Sequence, residues 1–225
     1  MRWPVFRSPA TPAAAQYARS SITGPTTPWQ RASYCVVDLE LSGLNSREHE
    51  IISFAAVPID AGRLVAGGAV YGVCRPSQPL PETSILVHGL RTVDLVDAPA
   101  LDEAIQPLIT AMTGRVIVAH VSWVERAFLS RALRRQGVRF RGPILDTFEL
   151  GRLLARQRHE DHSRRTLDEL AEYLRLPVYR RHHALGDALT TAQVFMALAT
   201  HLDEFTSESV QSLAHAKERA QLLLS

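Results

Sequence analysis

Asp38, Glu40, Glu125, Asp187 and His182 are the residues whose types and positions could do chemistry together. Tyr34-Cys35-Val36-Val37 is an unbroken apolar run rich in β-branched valine, which predicts a buried strand, and Asp38-Leu39-Glu40 closes it. Side chains alternate along a strand, so the two carboxylates point the same way, roughly 6.6 Å apart along the chain. Two unit charges about 5 Å apart repel by roughly 3 kcal/mol at an effective dielectric of 20, so this pair needs a cation. Glu125 falls on the first turn of a helix directly after the apolar run Val116-Ile117-Val118-Ala119-His120. Asp187 lies near the start of a long apolar helix, whose positive end favours a carboxylate. His182 is five residues earlier, a spacing that does not share a helix face, and so must reach the same place from the preceding loop.

The elements that must hold these groups follow in order. Residues 1–30 carry Pro4, Pro9, Pro12, Pro25 and Pro28 among Ser, Thr and Ala without hydrophobic periodicity, which predicts a flexible N-terminal extension. After the first strand, residues 51–59 read as a second and residues 64–74 as a third, bent at Gly67-Gly68. A helix is expected over about 99–113, kinked or shortened by Pro107. Residues 123–136 read as an amphipathic helix closed by Gly137, and Asp146-Thr147 as the cap of a helix running to about Arg158. Thr166 and Glu169 have capping-box spacing. A long helix is expected from near Ala184 to Phe205, and a last one from Ser209 onward. Three strands followed by alternating strands and helices give an α/β fold, a mixed central sheet with helices on both faces. The expected division is an extension over 1–30, one domain over 31–205 and a C-terminal helix over 206–225.

The composition, 46% hydrophobic and 21% charged, is that of a globular protein, and no apolar run approaches the about 18 residues needed to span a bilayer. Cys35 and Cys74 lie in strand-like surroundings and make no disulfide framework, so a reducing cytoplasm is expected. Of 25 lysines and arginines only Lys217 is lysine. The net charge of +2 is unevenly spread: Arg2, Arg7, Arg19 and Arg31 precede the first acid. Residues 126–165 form an arginine band, and Arg131, Arg134 and Arg135 suit an approach for a nucleic-acid backbone or a solvated helix face.

The order of these blocks resembles the DEDD exonucleases of the DnaQ-like group, in the branch with a catalytic histidine, across residues 34 to about 200. The family opening D-x-E-x-T-G-L is matched by Asp38-Leu39-Glu40-Leu41-Ser42-Gly43-Leu44, its H-G-I turn by His88-Gly89-Leu90, and its H-x-A-x-x-D-A close by His182 through Ala188. Its V-A-H-N-x-x-F-D segment is similar to residues 118–125, with Val121 for asparagine, Val124 for phenylalanine and Glu125 for aspartate. The resemblance implies a ribonuclease H-like fold and a metal-dependent 3′–5′ exonuclease that shortens single-stranded nucleic acid to 5′-mononucleotides. It implies two Mg²⁺ or Mn²⁺ ions, the hard ions that an all-oxygen donor set favours. Asp38 would bridge both, Glu40 and Asp187 would hold the first, Glu125 would support the second, and His182 would be the general base. Leu41, Ser42, Gly43, Leu44, His88 and Trp123 would face the substrate, although for Trp123 core packing at its helix start is the stronger reading. His120 is expected to be a structural strand-end histidine and His183 an exposed neighbour of the base. Two other readings fit the same residues: an oligoribonuclease-like enzyme acting on short RNA, and a catalytically weakened nucleic-acid-binding module. A polymerase or a second copy of the chain would be the protein partner, and no membrane is expected.

Overall fold

The structure, a computed structural model, describes residues 8–160 and 166–223. Its sheet has strands β1 (Ser33–Leu41), β2 (Ile51–Asp60), β3 (Arg63–Leu64), β4 (Val70–Val73), β5 (Val116–Ala119) and β6 (Ile144–Asp146). The order is β3-β2-β1-β5-β6, with β4 pairing the outer side of β2. β1 runs antiparallel to β2 and parallel to β5, and β5 runs parallel to β6. The mixed sheet follows from the connections. A short turn returns β1 into β2, whereas reaching β5 requires a helical crossover.

The helices are α1 (Pro12–Arg19), α2 (Glu82–His88), α3 (Leu101–Ala104), α4 (Gln106–Met112), α5 (Trp123–Arg135), α6 (Thr147–Gln157), α7 (Leu167–Tyr173), α8 (Ala184–Asp203), α9 (Val210–Ala214) and α10 (Ala216–Leu222). Alternation along β1 feeds two cores. Tyr34 and Val36 join Phe195 of α8 and Leu150, Leu153 and Leu154 of α6 on one face. Cys35, Val37 and Leu39 join Leu108 and Ile109 of α4 and Phe128 and Leu129 of α5 on the other. Burying each such aliphatic or aromatic side chain contributes about 1.5–3 kcal/mol, so helices on both faces are required rather than decorative. Tyr34 sits edge-on to Phe195, centroids 4.8 Å apart. Cys35 and Cys74 are both buried free thiols. No helix among the described residues is long and apolar enough to cross a membrane.

Several expectations need correction. The N-terminal extension is not loose over residues 8–30: Thr11 caps α1, and Ala14 and Tyr17 are buried in the second core. Arg141 holds the end of α1 by donating to the carbonyls of Tyr17, Ala18 and Ser20 at 3.2, 2.7 and 2.8 Å. The expected third strand is two short strands separated by a turn of 3₁₀ helix over Ala66–Gly68. The helix expected over 99–113 divides at Ile105 into α3 and α4, with Pro107 in the first turn of α4 where its missing N–H costs nothing. The last helix divides at His215 into α9 and α10. This C-terminal pair is part of the main core, contributing Val210, Leu213, Ala216 and Ala220. The fully buried carboxylate of Glu208 receives both Arg219 Nη1 and Nη2, at 2.8 and 2.7 Å, and the Ser212 hydroxyl.

Candidate active site

Three carboxylates meet where the C-terminal end of β1 faces the N-terminal turn of α8. Asp38 and Glu40 share the sheet face of Tyr34 and Val36, the face that α8 covers, and Asp187 is the fourth residue of α8. One oxygen from each lies within 4.8 Å of the others. A bulge between Glu40 and Leu41 ends the regular pairing of β1 with β2, so the segment after Glu40 turns away into a separate wall.

Like charges held together out of water bind protons tightly, and these do. Burial, with the charges of Glu125, Glu40 and Asp187, pushes Asp38 well above the usual carboxylate range. Burial and then Asp187 push Glu40 up to about 7. Asp187 is raised by burial, against the pull of Arg181 and the amide of His182. The Asp187 carboxylate also orders its own helix start: Oδ2 accepts from His182 N at 2.9 Å, while Asp187 N donates to the His183 carbonyl at 3.0 Å.

Glu125 stands outside this trio but close enough for its charge to act on Asp38. It is buried on the first turn of α5, and burial pushes it up to about 8, helped by Asp146 and opposed by its own amide. Asp146 shapes that turn. Its two oxygens accept from Val121 N and Ser122 N at 3.0 and 2.9 Å, and Oδ1 also caps α6 through Phe148 N at 3.0 Å. Val121 is thereby held at φ +59, left-handed backbone that a β-branched residue adopts only under constraint. It stands where the resembled family has asparagine, a residue that tolerates this conformation.

Two cavities open on this junction and share His120 and Val121 as a dividing wall. One, of about 380 Å³, takes Asp38, Asp187 and Arg181. The other, of about 540 Å³, takes Glu40 and Glu125, and with them Leu41, Ser42, Gly43, Leu44, His88 and Trp123. Trp123 is 62% exposed at this cavity rather than packed into the core. Gly43 is needed for close approach: a Cβ there would come within 2.5 Å of the His49 ring. His88, at the end of α2, accepts from Leu90 N through Nδ1 at 3.1 Å across a left-handed Gly89.

His182 is exposed, lines neither cavity, and has φ +53. His183, expected to be exposed, is instead partly buried, its ring stacked on Tyr71. His120 has the structural role expected of it. The Thr147 hydroxyl donates to Ala119 O at 3.3 Å and accepts from His120 Nδ1 at 3.0 Å, which leaves Nε2 as an acceptor on the dividing wall.

Of the three arginines expected to approach a nucleic-acid backbone, Arg131 and Arg135 are tethered within the protein and Arg134 is exposed. Arg131 donates to the carbonyls of Ser46 and His49, at 2.5 and 3.0 Å, tying the loop after β1 to α5. Arg135 makes a two-pronged pair with Asp102, 2.9 and 2.6 Å. These two are tethers, not a free track for phosphates. One cation that stands beside the carboxylates is Arg181, a residue outside the expected site. Its Nε lies 3.5 Å from Asp187 Oδ1, its other end pairs with Asp168 on α7, and its charge reaches Asp38 and Glu40 as well. The run Arg180-Arg181-His182-His183 was the available signal, but nothing in it distinguishes the inward arginine from its neighbour.

A family model for exonucleases of the RNase T type matches residues 35–195. The chain belongs to this exonuclease family. A DNA polymerase III subunit epsilon-like protein of Rhodobacter capsulatus is 35% identical over 175 residues, which is 76% of this chain and 24% of that one. A PolC-type DNA polymerase III of Caldanaerobacter subterraneus is 27% identical over 192 residues, 85% of this chain and 13% of that one. The chain therefore spans a quarter or less of these relatives' length. Among solved structures, exonuclease X in complex with 5′-overhanging duplex DNA has a TM-score of 0.63 at 19% identity, covering 82% of this chain and 99% of that one. E. coli exonuclease I in complex with a dT13 oligonucleotide has a TM-score of 0.66 at 13% identity, covering 77% of this chain and 42% of that one. The exonuclease domain thus has the ribonuclease H-like fold of these neighbours.

Proposed function

We infer that this exonuclease domain removes 5′-mononucleotides from the 3′ end of single-stranded nucleic acid, using two Mg²⁺ or Mn²⁺ ions. The observation that carries this reading is the trio Asp38, Glu40 and Asp187, each with an oxygen within 4.8 Å of the others. The donor set fits a hard divalent cation. It is all oxygen, its members repel one another, and the buried Asp187 Oδ1 and Glu125 Oε2 have no hydrogen-bond partner among the described residues. Asp38, Glu40 and Asp187 would hold the ions, with Glu125 supporting the second. Bound there, the ions supply charge stabilisation for the attacking and leaving oxygens of phosphodiester hydrolysis.

The rest falls to the chain's own groups. The 540 Å³ cavity is lined by no arginine or lysine, and its exposed Trp123 and Leu44 present apolar faces that suit a base of any sequence. His182 is the base: an imidazole nitrogen takes the proton of the attacking water. Its backbone is fixed at the edge of Asp187, and its exposed side chain is free to turn at χ1 toward the carboxylates when substrate is bound. The DNA-bound neighbours and the polymerase names of the curated relatives support a chain that works on nucleic acid beside a polymerase.

The test is digestion of 5′-labelled single-stranded DNA and RNA by the purified protein with Mn²⁺ or with chelator. A ladder shortening from the 3′ end, present only with metal, is expected. His182→Ala should lower turnover by about 10²–10⁴, the usual worth of acid–base catalysis. Degradation that persists in chelator, or in Asp38→Asn, would overturn the reading.

A further inference from the structure

Tyr71 of β4 lines neither cavity, yet its ring stacks on His183 with centroids 4.7 Å apart and planes 18° from parallel. His183 is the residue before α8, in extended backbone at φ −132 and ψ 117, while His182 just before it is left-handed at φ +53. A non-glycine residue keeps such a conformation only where its surroundings over-determine it. Most of the bonds that do so come from α8 itself. Asp187 Oδ2 takes His182 N at 2.9 Å, Thr190 Oγ1 takes Tyr179 N at 3.1 Å, and Gly186 lets the Arg180 carbonyl lie against the helix. Among the described residues the segment also reaches beyond α8 in two directions: Arg181 to Asp168 on α7, and His183 to Tyr71 on the sheet, where the charge of Arg180 also acts on Tyr71. The segment that carries His182 is therefore slung between a neighbouring helix and the outer sheet.

We propose that Tyr71 is a positioning residue for proton transfer: by stacking on His183 it anchors the sheet-side end of this segment and fixes where His182 is presented. The inference rests on His182 being the base. Aromatic pairs of this kind contribute enough that losing one disfavours the held arrangement by about three- to tenfold. Tyr71 is 40% exposed, so its truncation leaves both cores intact.

The experiment is steady-state hydrolysis of single-stranded DNA with Mn²⁺, alongside Mn²⁺ calorimetry and thermal unfolding. Tyr71→Ala and His183→Ala should each lower kcat about three- to tenfold at unchanged KM, unchanged Mn²⁺ affinity and near-parental Tm. Tyr71→Phe and His183→Phe, which keep the stack, should restore kcat, and the double alanine variant should be no worse than either single one. Parental kcat in Tyr71→Ala, an equal loss in Tyr71→Phe, or a loss that tracks weakened Mn²⁺ binding would each overturn the proposal. His182→Ala separates the two readings. If it keeps parental kcat, the assignment of the base fails; if it is crippled while Tyr71→Ala is not, only the positioning role fails.

Discussion

Raising the pH of the protein in chelator should destabilise it across a window that most proteins tolerate, because its carboxylates hold protons that the unfolded chain releases. Glu40 titrates at about 7 and Glu125 at about 8 in the fold, against 4.5 in an ordinary glutamate. Between those limits the native state binds more protons than the unfolded state, so stability is full below the unfolded value and falls as pH rises through the folded values. The lowered histidines His88, His120 and His183 act in the opposite sense, favouring the fold as pH rises; about a third of each is still protonated in the unfolded chain at about pH 6.8, so together they offset up to about 0.7 kcal/mol of the loss above that pH. A scan from about pH 6.8 to about pH 8.2 is therefore dominated by the carboxylates, at about 1.4 kcal/mol per pH unit for each proton retained. Glu125 keeps most of its proton over that span and Glu40 part of its own, giving a loss of about 2 kcal/mol before the histidine offset. For a domain of this size the net is a fall in Tm of roughly 3–8 °C.

Differential scanning calorimetry in chelator at the two pH values makes the measurement, and Glu125→Gln should remove most of the slope. Mn²⁺ should reverse the fall, and should stabilise more at the higher pH, where it no longer competes with protons for the same oxygens. A Tm in chelator that is flat or rises between the two pH values would refute the reasoning, since it would mean that the carboxylates are ionised and compensated without an ion.

Two substitutions probe the backbone that holds the site. Gly186→Ala would set a Cβ 2.1 Å from the Arg180 carbonyl oxygen, with backbone atoms that cannot swing aside; a loss of roughly 1–3 kcal/mol by chemical denaturation is expected, with reduced turnover as the segment carrying His182 shifts. Val121→Asn should do the reverse, raising stability by about 1 kcal/mol, because asparagine accepts the left-handed backbone that valine resists at φ +59; an unchanged or lower Tm would show that Val121 is not strained there.

What could be read in the chain was whatever is local. Asp38-x-Glu40 at the end of a valine-rich run fixes two carboxylates on one face because strand alternation is insensitive to context, and they share that face in the structure. The capping box of Thr166 and Glu169 forms as expected, since both partners lie within one turn. What escaped depends on partners distant in sequence. Helix α1 was not read in residues 1–30: an eight-residue helix is marginal in isolation and exists here because Tyr17 is buried and Arg141, more than a hundred residues on, donates to its last carbonyls. Where individual arginines of the band end was not legible for the same reason: a guanidinium's destination can be a carbonyl or carboxylate elsewhere in the fold, as Arg131 and Arg135 show.

Departures from the family pattern at Val121 and Glu125 resolve differently once the backbone is seen. Val121 keeps the left-handed turn in spite of its side chain, because Asp146 draws both Val121 N and Ser122 N onto one carboxylate and is itself locked as the cap of α6. That turn sets the start of α5, and Phe128 and Leu129, buried in the core one turn later, set its rotation. The origin of the Glu125 side chain is therefore fixed as firmly as an aspartate's would be, and the added methylene moves only the carboxylate. It reaches a place where burial and neighbouring charge raise it to about 8 and one oxygen has no hydrogen-bond partner among the described residues. An acid carried there by a rigid turn, with no cation of its own, loses stability in proportion to its ionisation. Arg181 serves Asp187 and leaves Glu125 to be neutralised by a proton or a metal ion. The turn and, among the described residues, the orphaned oxygen leave this corner open to a proton or a cation.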